Sequence, residues 1–120
     1  MAEERRVTKR RRFGYYMRIM DNFAHEHIGY LSDISARGFK LDSSQPIRVH
    51  HDYSLRLDLT PEISDKPYIV FTARSIWSNP DPLDPTSYVE GFEIVNITPA
   101  DDEIFRRIVE KYGTSESYWR

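Results

Sequence analysis

The chain has 120 residues, of which 39% are hydrophobic, 30% charged and 13% aromatic. That is enough for one hydrophobic core, and it excludes a two-domain body and an intrinsically disordered one. The longest apolar run, residues 68–71, is far short of the ~20 residues a membrane-spanning helix needs, and the charged start lacks the apolar stretch of a secretory signal, so a cytoplasmic location is expected. There is no cysteine, which removes disulfides, iron–sulfur clusters, cysteine-based zinc sites and thiol catalysis.

The chain opens on a basic arm, residues 1–12. Residues 1–18 hold seven basic side chains against two acidic ones, a local +5 that leaves −7 for the rest of a chain whose net charge is −2. A basic arm on an acidic body suits a local anion site; an arm that only aids solubility fits the charge equally well. An acidic body also disfavours nucleic acid as the partner.

From residue 13 the pattern is period-two alternation broken by turn-rich stretches, the rhythm of antiparallel β structure. Strands are predicted over residues 16–21 and 28–34, joined by a hairpin loop at 22–27, and then over 38–42, where Phe39 and Leu41 share a face. Residues 53–59 alternate without a break, with Tyr53, Leu55, Leu57 and Leu59 inward and Ser54, Arg56 and Asp58 outward. Two further strands are predicted at 68–78 and 88–97. Residues 79–85 contain three prolines, each lacking a backbone donor, and are predicted to be an exposed loop.

The period changes at Thr98-Pro99-Ala100-Asp101, which supplies an N-cap hydroxyl, a proline at the first helical position and an acidic residue three after the cap. A helix is predicted over about 99–112, with Ile104, Phe105, Ile108, Val109 and Tyr112 as its apolar stripe and Gly113 as its stop. Six strands and one C-terminal α-helix in so short a chain point to a mainly β fold, a six-stranded antiparallel barrel over residues 13–113, because closure removes unpaired edges. Residues 114–120 form a tail.

Two groups of residues stand out chemically. In Arg5-Arg6-Val7-Thr8-Lys9-Arg10-Arg11-Arg12 the guanidinium forks match phosphate oxygens and the O6/N7 edge of guanine. In Asp33-Ile34-Ser35-Ala36-Arg37-Gly38 an ionised Asp33 accepts hydrogen bonds, and guanine's Watson–Crick edge donates them. If the strand continued, Asp33 and Ser35 would share a face, and Gly38 would permit a backbone angle or a close ligand approach. The plainer reading has Asp33 and Ser35 capping a turn and Gly38 in a bulge.

Taken together, these segments resemble the PilZ family, bacterial receptor domains for cyclic di-GMP. That family joins an N-terminal Arg-x-x-x-Arg to Asp/Asn-x-Ser-x-x-Gly on a six-stranded barrel with a helix near its C-terminus. Arg6 to Arg10 fits the first motif and Asp33 to Gly38 the second; a register anchored on Arg11 would instead put Tyr15 at the second arginine position. Ala73-Arg74-Ser75-Ile76-Trp77 is similar to the family's later strand ending in tryptophan, and Gly91-Phe92 lies in a segment like its Gly-x-x-Phe strand. The resemblance implies that Arg6, Arg10 and Arg11 grip phosphate and guanine edges, that Asp33 and Ser35 bond to a guanine, and that Gly38 leaves room for it. Because the arm carries like charges with almost no apolar anchor, the expected mechanism is its ordering over the ligand, which reshapes the surface seen by a protein partner.

No nucleophile–base constellation, P-loop or dinucleotide fingerprint is present, so the chain is read as non-enzymatic, with no cofactor; cyclic di-GMP as its ligand is what the resemblance implies. His25, His27, His50 and His51 are read as exposed histidines rather than metal ligands, and Asp101-Asp102-Glu103 as complements of the helix dipole. Two other readings remain: a small barrel binding single-stranded nucleic acid through its arm and aromatics, and a PilZ-like interaction module without a nucleotide.

Overall fold

A computed structural model describes residues 17–113. In chain order these form β1 (Arg18–Asp21), β2 (His27–Ile34), β3 (Gly38–Ser43), β4 (Asp52–Asp58), β5 (Tyr68–Asp81), β6 (Asp84–Ile97) and the helix α1 (Pro99–Tyr112). Every neighbouring pair is antiparallel, and the order β1-β2-β3-β6-β5-β4 closes through β1 and β4, where Ile19 faces Leu57 and Met20 faces Arg56.

Alternation fills the interior. Ile19, Leu31, Leu41, Leu55, Leu57, Ile69 and Ala73 are buried, and Tyr53 and Leu59 pack partly buried against them, as the pattern of residues 53–59 predicts. Phe39 lies at the centre, stacked on Phe92 with centroids 5.0 Å apart and edge-on to Phe71 at 5.5 Å. The helix packs on β5 and β2, burying Ile104, Phe105 and Ile108; the Phe105 ring meets that of Phe71 at 6.2 Å. No helix among the described residues is long and apolar enough to cross a membrane.

The helix starts as predicted: the Asp101 amide donates to Thr98 Oγ1 at 3.3 Å, with Pro99 following the cap. The Asp101 carboxylate does not complete a capping box. It accepts instead from Lys66 Nζ at 2.6 Å and from the Val70 amide at 3.1 Å, tying the first helical turn to the start of β5. Gly113 ends the helix in extended conformation (φ −75°, ψ 166°), its amide donating to the Val109 carbonyl.

One expectation is corrected. Residues 79–85 are not an open loop: β5 continues to Asp81 and β6 begins at Asp84, with Pro80 opposite Tyr88 and Asp81 opposite Asp84. The pairing with β4 ends at Arg74 and the Ser75 backbone still bonds to His50 and His51, so past Ser75 this end is a two-stranded ribbon whose open edge tolerates a residue without a donor. Aspartates close the turn, Asp81 accepting from the Leu83 amide at 2.8 Å and Asp84 from the Thr86 amide at 3.0 Å.

Candidate ligand-binding face

The end of β2 is shaped by an extra residue. Leu31 faces Leu41 and Asp33 faces Lys40, so Ser32 forms a bulge between them. Strict alternation from the buried Leu31 would send Asp33 into the core and Ile34 out. The bulge reverses that phase: Ile34, opposite the buried Phe39, goes in, and Asp33 joins the outer face with Lys40.

The strand stops at Ile34, so Ser35 is positioned by the turn and not by alternation. The Ser35 amide donates to the Gly38 carbonyl at 2.9 Å, and the Arg37 carbonyl accepts from the Ile94 amide at 2.9 Å, pinning the turn to β6. Asp33 Oδ1 accepts from the Ile34 amide at 3.0 Å. Asp33 is 4% exposed and Ser35 2%, so both side chains are enclosed by their surroundings.

Gly38 also meets a demand of the barrel itself. A Cβ there would lie 2.1 Å from the Phe92 carbonyl oxygen, so glycine is required for β6 to approach β3. Nor is it bulged, since Gly38 faces Glu93 and Phe39 faces Phe92 in unbroken register.

Register extends the outer face sideways from Asp33 through Lys40 on β3 and Gly91 on β6 to Trp77 on β5. The indole lies across Gly91, where a Cβ would come within 2.4 Å of the ring, and Lys40 Nζ sits 6.0 Å from its centroid. Sequence reasoning assigned neither Lys40 nor Trp77 a role. The signal was there in Lys40, a lone cation alternating with Phe39 and Leu41. Arg74, on the same wall, is engaged by Asp52 at 2.7 and 3.3 Å, and that hydrogen-bonded pairing holds the Asp52 carboxyl below its usual range.

Arg6, Arg10 and Arg11 lie outside the described residues, as does the tail 114–120. The first described residue, Met17, is buried, and its carbonyl accepts from the Leu31 amide at 2.8 Å. The chain coming from the arm therefore joins the barrel on β2, two residues before Asp33. Of the histidines, His25 and His50 have left-handed backbones (φ 59° and 57°), while His27 packs edge-on to Tyr30 at 4.6 Å and His51 to Tyr53 at 4.7 Å.

A closed six-stranded barrel with a C-terminal helix, carrying Asp-x-Ser-x-x-Gly at the end of β2, can be set beside known proteins. The PilZ domain family matches residues 4–111, which include both motifs. The chain belongs to the PilZ family. Among solved structures it is similar to the Bacillus subtilis inhibitor of motility (MotI/DgrA), at 18% identity and a TM-score of 0.62, covering 80% of this chain and 46% of that one. This PilZ chain thus spans under half the length of that protein. It is also similar to the PilZ domain of YcgR from Escherichia coli, solved with c-di-GMP, at 14% identity and a TM-score of 0.57, covering 81% of this chain and 80% of that one. At these identities the likeness is one of fold. No curated protein matches the sequence.

Proposed function

We propose that this PilZ domain is a non-catalytic receptor for cyclic di-GMP, held between the arginines of the arm and the Asp33–Ser35 ledge. The observation that carries the reading is the ledge itself: a carboxylate that accepts a backbone N–H, and a serine whose backbone is tied into the following turn, at the end of the strand that the arm's chain joins. Asp33 accepts from the N–H groups of a guanine, Ser35 adds a hydroxyl, and Arg6, Arg10 and Arg11 take phosphate oxygens and the O6/N7 edge. Arg10 precedes Met17 by seven residues, a reach of at most about 24 Å of extended chain. Lys40 and Trp77 continue the same face with a cation and a ring. The family match over residues 4–111 and the YcgR domain solved with c-di-GMP support the choice of ligand.

Signalling follows from ordering of the arm. Its like charges oppose compaction until an anionic ligand neutralises them; closure over the ligand then changes the surface offered to a protein partner. Amide exchange with and without ligand tests this step: the arm gains protection on binding, and equal protection in both states would overturn it.

Titration calorimetry with cyclic di-GMP, GTP and a short oligonucleotide tests the function. The expected result is binding of cyclic di-GMP that Arg10→Ala or Asp33→Ala weakens by about 30-fold to several thousand-fold, the cost of leaving a charged partner unpaired. Binding to the oligonucleotide alone, with steep salt dependence, would replace this reading with a nucleic-acid one. No binding to any of the three would leave an interaction module without a nucleotide.

A further inference from the structure

In the middle of β6, opposite Leu41 on β3, a glutamate is completely buried. Glu90 is 0% exposed, and its only hydrogen-bond partners among the described residues are two serine hydroxyls. Ser43 Oγ on β3 lies 2.8 and 2.9 Å from its two carboxyl oxygens, and Ser78 Oγ on β5 lies 3.1 Å from Oε2. Both serines also bond to the connection between β3 and β4: Ser43 Oγ is 2.7 Å from the Gln45 carbonyl oxygen, and Ser78 Oγ accepts from the Ile47 amide at 3.4 Å.

Proton counting assigns a state to this cluster. Ser43 has one hydroxyl proton but contacts two acceptors, the Gln45 carbonyl and the Glu90 carboxyl. If Glu90 is ionised, one of those contacts holds two oxygens together with no proton between them. If Glu90 is a carboxylic acid, each bond is made once: Glu90 donates to Ser43 and Ser43 to Gln45, while the Ile47 amide donates to Ser78 and Ser78 to Glu90. We propose that Glu90 is a proton-operated latch: as the acid it lets Ser43 hold the Gln45 end of residues 45–47 to the wall formed by β3, β6 and β5, and on losing its proton it draws the Ser43 proton to itself and frees that end, leaving the segment held through Ile47 and Ser78 alone.

The surroundings agree with that assignment. Burial raises the Glu90 carboxyl above the usual glutamate range, and hydrogen bonds from Ser43 and Ser78 offset only part of the rise. The titratable group acting on it is Asp42 on β3, a like charge that raises it further; Tyr53 on β4, raised mainly by burial, feels the charge of Glu90 in turn. Beside it, β5 supplies Ser78, β6 the apolar Val89 and Gly91, and the connection Gln45 and Ile47, none of them ionisable. With the folded value above the unfolded one, the stability contributed by Glu90 is complete below the ordinary glutamate range and is lost as pH rises through its raised value. Release would act on a wall that also displays Lys40 and Trp77, but the latch does not depend on which ligand that face takes.

Carbon-13 NMR of the glutamate carboxyls in the full chain, from about pH 4 to about pH 9, tests the proposal. Glu90 should titrate above the exposed Glu26, Glu62, Glu93, Glu103 and Glu110. The amide signals of Gln45 and Ile47 should move with the same midpoint. In Glu90→Gln, whose amide can donate to Ser43 and accept from Ser78, those amide signals should stay at their acid positions. The wild type should also lose about 5 °C of melting temperature relative to that variant across the range. Titration of Glu90 together with the exposed glutamates would overturn the latch. So would Gln45 and Ile47 signals that do not follow it. Both readings come from the wild type, so the test stands even if the variant fails to fold.

Discussion

Asp101 is a carboxylate that local rules and tertiary structure use differently. Its amide serves the Thr98 cap, as the sequence predicts, but its side chain accepts from Lys66 and the Val70 amide on another element. Lys66 is half exposed, so that ion pair contributes little; the Val70 amide is the costly partner to abandon. Asp101→Ala should therefore lower stability by about 1–3 kcal/mol, read as a fall in the urea midpoint with an unchanged slope. Gly38 offers a sharper separation of roles. Because an added methyl would stand 2.1 Å from the Phe92 carbonyl oxygen, Gly38→Ala should destabilise the barrel by about 1–3 kcal/mol in the absence of any ligand. Unchanged unfolding combined with lost ligand binding would restore the ligand-space role that sequence alone suggested.

At the scale of elements, α1 depends on one aromatic contact more than on its caps. Phe105 is 2% exposed and meets Phe71 edge-on, so Phe105→Ala should cost about 3–5 kcal/mol by thermal unfolding, against about 1 kcal/mol for Thr98→Ala. Equal losses from the two would mean that the helix is not anchored through its stripe. This helix was fully legible in the sequence because cap, proline and stripe are all local signals. The strand over residues 53–59 was legible for the same reason. The end of β2 was not: an alternating pattern cannot announce an inserted residue, and the bulge at Ser32 is visible only when Leu31 and Asp33 are matched to Leu41 and Lys40. The prolines of residues 79–85 misled because the rule against proline in strands presumes a partner on both sides, which β5 lacks beyond Ser75. Asp33, Ser35 and Gly38 were found by motif, whereas Lys40 and Trp77 join the same face only through pairings across three strands.

Across the whole molecule, the barrel combines a rigid ledge on the end of β2, an outer wall carrying Lys40 and Trp77, and a buried acid on the inner side of that wall. The charge division of +5 in residues 1–18 and −7 beyond separates a basic arm from an acidic body that repels long polyanions. Affinity for cyclic di-GMP, which carries two phosphates, should therefore fall only gently with salt, with a log–log slope no steeper than about −2. A much steeper slope would point to a polymeric nucleic acid.

The most direct test of the central claim is an amide NMR titration of the full chain with cyclic di-GMP. The account predicts that signals from Asp33 to Gly38 and from the arm around Arg6 to Arg11 move together and saturate at one concentration, while that of Leu83 in the hairpin turn stays in place. Saturable shifts confined to any other face, or a spectrum that the ligand leaves unchanged, would contradict it.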